Sequence, residues 1–169
     1  MQRMTVRVGI IGASGFTGAE LLRLIAGHPD LEVVVATGDS QAGNSVSDLY
    51  PSLAVAYPDL VFAENRAEIA DEHGLELVFC GLPHGTSQAI VPGLLDGKRT
   101  VVDLAADFRL KDAALYPQWY GEAHTVPELL ADSVYGLPEL FRKELVGAKL
   151  IATPGCYVTT ATLALAPFL

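Results

Sequence analysis

The sequence predicts an α/β protein built on a Rossmann-type, doubly wound parallel sheet. Two observations carry that prediction. Short β-branched apolar runs alternate with helical stretches along the chain, the rhythm of βαβ units. The first run, Val6-Arg7-Val8-Gly9-Ile10-Ile11, opens directly into Gly12-Ala13-Ser14-Gly15-Phe16-Thr17-Gly18 and then into a helical stretch, Ala19 to Ala26. A glycine turn between a buried strand and a helix holds a phosphate without a charged side chain. Gly12 permits the tight turn, Gly15 lets backbone approach a pyrophosphate, and Gly18 lets the helix pack on the sheet. The spacing is G-x-x-G-x-x-G, one residue looser than the dinucleotide fingerprint, so the βαβ context carries the assignment. The expected cofactor-binding residues are Gly12, Ser14, Gly15, Phe16, Thr17 and Gly18.

Each element follows in order. Gly27 stops the first helix, with Pro29 beyond it. Leu31 to Thr37 is a second buried strand, completing a right-handed crossover. Gly38 to Gly43 reads as a loop. Asp39 lies at the distance from the glycines where an acid bonds the adenosine ribose and favours NAD. It reads equally as a solvated loop acid, while Ser40 and Gln41 suit a 2′-phosphate. Val46-Leu49 and Arg66-Glu72 read as short helices, and Leu60-Ala63 as a short strand. Leu75 to Cys80 is a strand, with Cys80 a buried core thiol. Helix Ser87 to Leu95 and strand Thr100 to Leu104 follow. Ligands of open α/β sheets bind at the carboxyl ends of strands, where Leu82-Gly85 and Ala105-Arg109 lie. His84 is the tempting polar group there, but it reads first as a loop histidine bonded to backbone. Tyr116, Trp119 and Tyr120 form an aromatic cluster that suits a core or an interface. Gly121 to Ser133 reads as a surface excursion, and Val134 to Glu139 as turn-rich. Leu140 to Leu145 is a short helix, Lys149 to Ala152 the last strand, and Tyr157 to Leu169 a final helix.

Composition narrows the function. The chain has 169 residues, 50% hydrophobic and 18% charged, enough for a sizeable core. Twenty acidic against eleven basic side chains give a net charge of -9, which argues against nucleic acid or an anionic membrane as partner. An anionic ligand must therefore be held by helix N-termini or single arginines. The chain enters a strand almost at once, with no signal-peptide pattern. Two isolated cysteines, Cys80 and Cys156, suggest reduced thiols and a cytoplasmic setting.

Thr153-Pro154-Gly155-Cys156 follows the last strand and leads into the last helix. Cys156 thus sits at a helix N-terminus, the usual setting of a nucleophilic thiolate. A dinucleotide turn together with a nucleophilic thiol suggests thioester chemistry at an acyl carbon.

Five motifs occur in order: Gly12-Ala-Ser-Gly-Phe-Thr-Gly18, Leu82-Pro-His-Gly85, Ala106-Asp-Phe-Arg-Leu110, Tyr135-Gly-Leu-Pro-Glu139 and Pro154-Gly-Cys-Tyr157. Together they resemble the N-acetyl-gamma-glutamyl-phosphate reductases of arginine biosynthesis, over nearly the whole chain. The resemblance implies an NADPH-dependent enzyme that reduces N-acetyl-gamma-glutamyl phosphate to the semialdehyde. Relatives acting on aminoadipyl or aspartyl phosphate share the chemistry. The resemblance makes Cys156 the nucleophile and NADP the cofactor. Arg109 then pairs with the substrate phosphate, or serves in a structural ion pair. Many members carry a basic or neutral polar residue where this chain has Asp39; NADP binding then requires Asp39 to face solvent and Ser40 to take the phosphate. The resemblance divides the chain into an NADP-binding domain, 1–153, and the start of a catalytic α+β domain, 154–169. The family is about twice this length, forms homo-oligomers when complete, and carries its acid/base histidine in the second half. The expectation for these 169 residues alone is an inactive half-enzyme. A nucleotide-binding module that functions at this length is the other reading.

Overall fold

A computed structural model describes residues 5–169. The chain divides into two compact units, Met1–Leu82 and Pro83–Leu169.

The first unit contains β1 (Val6–Ile11), α1 (Phe16–Ala26), β2 (Leu31–Thr37), α2 (Val46–Leu49), β3 (Phe62–Ala63), α3 (Ile69–Glu72) and β4 (Leu77–Cys80). Its strands lie in the order β3-β2-β1-β4, and every pairing is parallel, with Ile10 beside Ala36 and Ile11 beside Cys80. β1 is central in this unit. Val8, Ile10 and Ile11 are wholly buried, as expected of a strand covered on both faces. Leu22 and Ile25 of α1 pack with Val8, Ile10, Ala36 and Phe62 into one apolar core. Fully burying one such side chain contributes about 1.5–3 kcal/mol, so this cluster anchors the glycine turn on a rigid base.

α1 starts at Phe16, inside the glycine run, rather than at Ala19. Phe16-Thr17-Gly18 therefore form its first turn. Asp39–Gln41 is a 3-10 turn rather than open loop.

The second unit contains α4 (Ser87–Leu94), β5 (Thr100–Asp103), α5 (Tyr116–Tyr120), β6 (Ser133–Tyr135), α6 (Pro138–Leu145), β7 (Leu150–Ala152) and α7 (Cys156–Leu165). Its strands run in the order β5-β7-β6, again parallel, with Val101 and Ser133 both beside Leu150. One expectation holds in this unit and one fails. Gly121 to Ser133 is mostly exposed, as expected of a surface excursion, with His124, Leu130 and Ser133 buried within it. Ser133 to Tyr135 is a strand, and Gly136 continues it by donating its N–H to the Ala152 carbonyl at 2.8 Å. A Cβ at Gly136 would lie 2.9 Å from Ile151 Cγ2, so the turn residue serves a close strand approach. In the aromatic cluster Tyr116 is core, whereas Trp119 is exposed.

Candidate functional site

In the first unit the glycine turn follows β1 at its carboxyl end. Gly12 has φ +78, and a Cβ on it would meet the Gly81 carbonyl oxygen at 2.6 Å. Both conditions exclude other residues. A Cβ on Gly18 would stand 2.3 Å from Ala13 Cα, so α1 rests directly on the turn. Gly15 differs from both. A Cβ there meets nothing closer than the Gly12 oxygen at 3.8 Å, so its bareness serves no packing within the protein. It caps α1 without a side-chain cap bond. Among the described residues the N–H groups of Phe16, Thr17 and Gly18 find no acceptor, leaving the positive helix end open. Phe16 and Thr17 are exposed. These features fit a dinucleotide pyrophosphate laid against Gly15.

The turn is braced from β2. Thr37 Oγ1 accepts the Gly12 N–H at 3.1 Å, and the Thr37 carbonyl accepts that of Ala13 at 2.6 Å. Thr37 Oγ1 donates in turn to Asn65 Oδ1. Tyr50 donates its hydroxyl to the Ser14 carbonyl at 2.7 Å. Asp39 is exposed, yet its Oδ1 accepts the Asn65 N–H at 3.0 Å. That bond ties the carboxylate to a neighbouring loop. Ser40 is exposed on the same 3-10 turn.

In the second unit Asp107 is wholly buried and organises the loop after β4. Its carboxylate accepts the Gly85 N–H at 2.9 Å, the Ser87 N–H at 3.2 Å and the Gln88 side-chain amide at 2.9 Å. It thereby caps α4, which has no side-chain cap of its own from Thr86. His84 adds Nδ1 at 3.0 Å from the same carboxylate. The expected loop histidine is therefore bonded to an acid rather than to backbone, and its ring lies 4.7 Å from that of Tyr120. The Asp107 carbonyl accepts from Tyr116 Oη and His124 Nε2, both at 2.7 Å. His124 Nδ1 accepts the Val126 N–H, so Nε2 carries the proton. Burial pushes the Tyr116 hydroxyl up to about 12, which keeps it a donor.

Asp103, at the end of β5, is also wholly buried. Its Oδ1 accepts from Ser87 Oγ at 2.7 Å and from the Ala105 N–H at 3.3 Å, while Oδ2 has no partner. Burial pushes its carboxyl up to about 6, with the nearby Asp107 carboxylate acting in the same direction and the Ser87 hydrogen bond opposing.

Arg109 lies beside the turn that leads into Cys156. Arg109 Nε donates to the Thr153 carbonyl at 2.7 Å, and Nη2 to the Leu104 carbonyl at 3.0 Å. The structural ion pair anticipated for Arg109 is replaced by bonds to two carbonyls, and the fork expected to grip phosphate is engaged on backbone. Cys156 opens α7 directly after Gly155 and is exposed. α7 has no side-chain cap, and its first intrahelical bond to Gly155 begins at Thr159. Cys80 is buried, as expected.

Asp107 and Asp103 were not singled out from the sequence. The available signal was an acid set in an apolar run, Val101-Val102-Asp103-Leu104 and Ala105-Ala106-Asp107-Phe108, since acids are fully buried only when bonded. Among the described residues no cluster of potential ligands suits a metal ion, and no helix is long and apolar enough to cross a membrane.

A family model described as semialdehyde dehydrogenase, NAD binding domain, matches residues 7–148. The chain is 48% identical over 166 residues to N-acetyl-gamma-glutamyl-phosphate reductase of Symbiobacterium thermophilum, covering 98% of this chain and 47% of that one. It is 46% identical over 164 residues to the reductase of the same name from Saccharophagus degradans, covering 97% and 46%. The chain spans about half the length of the curated relatives it matches. Among solved structures it is similar to aspartate semialdehyde dehydrogenase with NADP from Candida albicans, with TM-score 0.64 and 19% identity over 97% of this chain and 48% of that one. It also resembles aspartate semialdehyde dehydrogenase II from Vibrio cholerae complexed with ASA, with TM-score 0.66 and 15% identity over 98% and 46%. At these identities the likeness is one of fold.

Proposed function

Because the chain belongs to the family of semialdehyde dehydrogenase NAD-binding domains, we propose that it carries the cofactor site and the nucleophile of an NADPH-dependent N-acetyl-gamma-glutamyl-phosphate reductase. The observation that carries the chemistry is an exposed Cys156 at the uncapped N-terminus of α7. The substrate assignment rests on the names of relatives at 46–48% identity.

Cys156 Sγ attacks the acyl carbon of the acyl phosphate. The carbon–oxygen bond to phosphate breaks, and inorganic phosphate leaves a thioester on Cys156. NADPH, when bound, supplies the hydride that reduces this thioester. The tetrahedral carbon then expels the Cys156 thiolate, and N-acetylglutamate semialdehyde departs. Free N–H groups in the first turn of α7 favour the negative charge that Sγ carries before attack and after release. The Gly12–Gly18 turn holds the cofactor pyrophosphate, with Gly15 as the point of closest backbone approach and the first-turn N–H groups of α1 as donors. Ser14 belongs to this cradle. Asp39, tied to Asn65, leaves the 2′-phosphate to Ser40. The work is done in the cytoplasm, where both thiols stay reduced.

The test runs the reaction backwards with these residues in a reductase of the relatives' full length. N-acetylglutamate semialdehyde, phosphate and NADP+ should yield NADPH, and Cys156→Ser should abolish it. Faster turnover of aspartate semialdehyde would overturn the substrate. Persisting activity in Cys156→Ser would overturn the nucleophile.

A further inference from the structure

We propose that Arg109 is a positioning residue for Cys156, acting through the backbone of the turn rather than by holding the substrate phosphate. This rests on the reading of Cys156 as the nucleophile.

All three guanidinium nitrogens face backbone. Nε reaches the Thr153 carbonyl and Nη2 the Leu104 carbonyl. Nη1 lies against Gly155, 3.3 Å from where a Cβ would stand. Leu104 follows β5, and Thr153 follows β7. One planar cation therefore joins the ends of two adjacent strands at the point where the chain turns toward Cys156. A rigid planar fork of donors is suited to this, because its donor directions are fixed in advance, whereas those of a lysine ammonium are not.

Gly155 gives an independent sign of the same arrangement. Its φ of -71 and ψ of 157 are extended values open to any residue, so no backbone demand explains the glycine. Arg109 is the neighbour within reach of a Cβ there. The glycine makes room for the guanidinium. Thr153 is held from a second side as well: its N–H and Oγ1 both donate to the Asp103 carbonyl, at 2.9 and 3.0 Å. Thr153 is thus fixed at both its N–H and its carbonyl. Pro154, with φ restricted by its ring, passes that rigidity to Gly155. Sγ at the start of α7 inherits its place from this chain of contacts. Misplacing a reacting atom by about 1 Å costs on the order of 10²-fold in rate.

The experiment compares Arg109→Gln and Arg109→Lys with the parent, all in a reductase of the relatives' full length that carries these residues. Two quantities are read: kcat and KM for the acyl substrate, and the rate of Cys156 alkylation by iodoacetamide without substrate, located by mass spectrometry. A positioning role lowers kcat on the order of 10²-fold with little change in KM, and slows alkylation several-fold in both variants. Cys156 is exposed already, so loosening the turn removes its fixed setting without adding access. Gly155→Ala should also slow alkylation in the parent, but add little in Arg109→Gln, since the two act through one contact. A raised KM with kcat and alkylation unchanged would assign Arg109 to the substrate and overturn the proposal. Should Arg109→Gln fail to fold, Gly155→Ala decides alone, and unchanged alkylation there overturns it too. Cys156→Ser separates the two readings. Turnover by that variant sinks the nucleophile, whereas unaltered alkylation in the Arg109 variants sinks the positioning role and leaves the nucleophile standing.

Discussion

Asp103→Asn should become progressively more stabilising as pH rises, relative to the parent. Asp103 is wholly buried, and its Oδ2 has no partner. Burial pushes the carboxyl from 3.8 to about 6, with Asp107 adding to the shift and Ser87, the Ala105 N–H and Arg109 opposing it. The sign follows from proton binding. Between about pH 4 and 6 the folded state holds this proton more tightly than the unfolded state, so stability falls as pH rises. Raising the carboxyl from 3.8 to about 6 corresponds to a loss of about 3 kcal/mol, complete above the folded value. Asparagine keeps an acceptor for Ser87 Oγ and the Ala105 N–H but has no charge to desolvate. Its amide nitrogen takes the place of the orphan oxygen at a cost of about 1–3 kcal/mol that does not vary with pH. The stability difference between variant and parent should therefore grow by about 3 kcal/mol from about pH 4 to about pH 8, around a constant offset. Urea denaturation of both proteins across that range measures it. A difference that stays flat with pH would refute the argument, because no other effect of the substitution removes a titrating group.

The glycine turn gives two contrasting substitutions. A Cβ at Gly15 meets only the Gly12 oxygen, at an ordinary 3.8 Å, so Gly15→Val should abolish NADPH binding, followed by fluorescence, with little change in melting temperature. Gly18→Ala should instead destabilise by about 1–3 kcal/mol, because its Cβ falls 2.3 Å from Ala13 Cα; an unchanged melting temperature would contradict the close packing of α1. With Asp39 bonded to Asn65, NADPH should bind more tightly than NADH, and tighter NADH binding by titration would return Asp39 to the ribose. Brief iodoacetamide treatment should label exposed Cys156 before buried Cys80; mass spectrometry showing the reverse order would remove Cys156 from the site.

The parts legible in the sequence are those fixed by short-range pattern. β1, β2 and α2 fall on their predicted limits: apolar β-branched runs end at glycine turns in the two strands, and Ser45 caps α2. α1 reaches further back than its apolar face, because the first turn of a helix at a phosphate turn need not be apolar. β6 has three residues, too few for a period, and its partner β7 lies later in the chain. The burial of His124 within a mostly exposed segment was hidden for a related reason. Its polar side chains are satisfied by residues far off in sequence: Thr125 donates both its N–H and its hydroxyl to Gln88 Oε1. The place of Cys156 at a helix N-terminus was legible from a strand, a glycine and a helix in succession. The work of Arg109 was not, since backbone carbonyls from the ends of two strands leave no trace in residue identity.

Three helices follow directly on strand ends, and their N-termini differ in a way that limits where an anion can rest. α1 and α7 begin at glycines, Gly15 and Gly155, and neither has a side-chain cap. Their first-turn N–H groups remain available to a ligand. α4 follows β4 in the same manner, yet the Asp107 carboxylate already takes the Gly85 and Ser87 N–H groups there. An incoming phosphate at α4 would displace a buried acid or meet its charge. Each of these arrangements traces to one feature of sequence. A glycine with no close packing against it leaves the N-terminus of α1 open. A glycine filled from outside by Arg109 fixes Cys156 at α7. A distant aspartate closes α4, so that the loop bearing His84 is held as structure. Of these three strand ends, the glycine turn and the cysteine turn are thus the ones whose first-turn N–H groups remain open to negative charge, as the proposed cofactor and thiolate roles require.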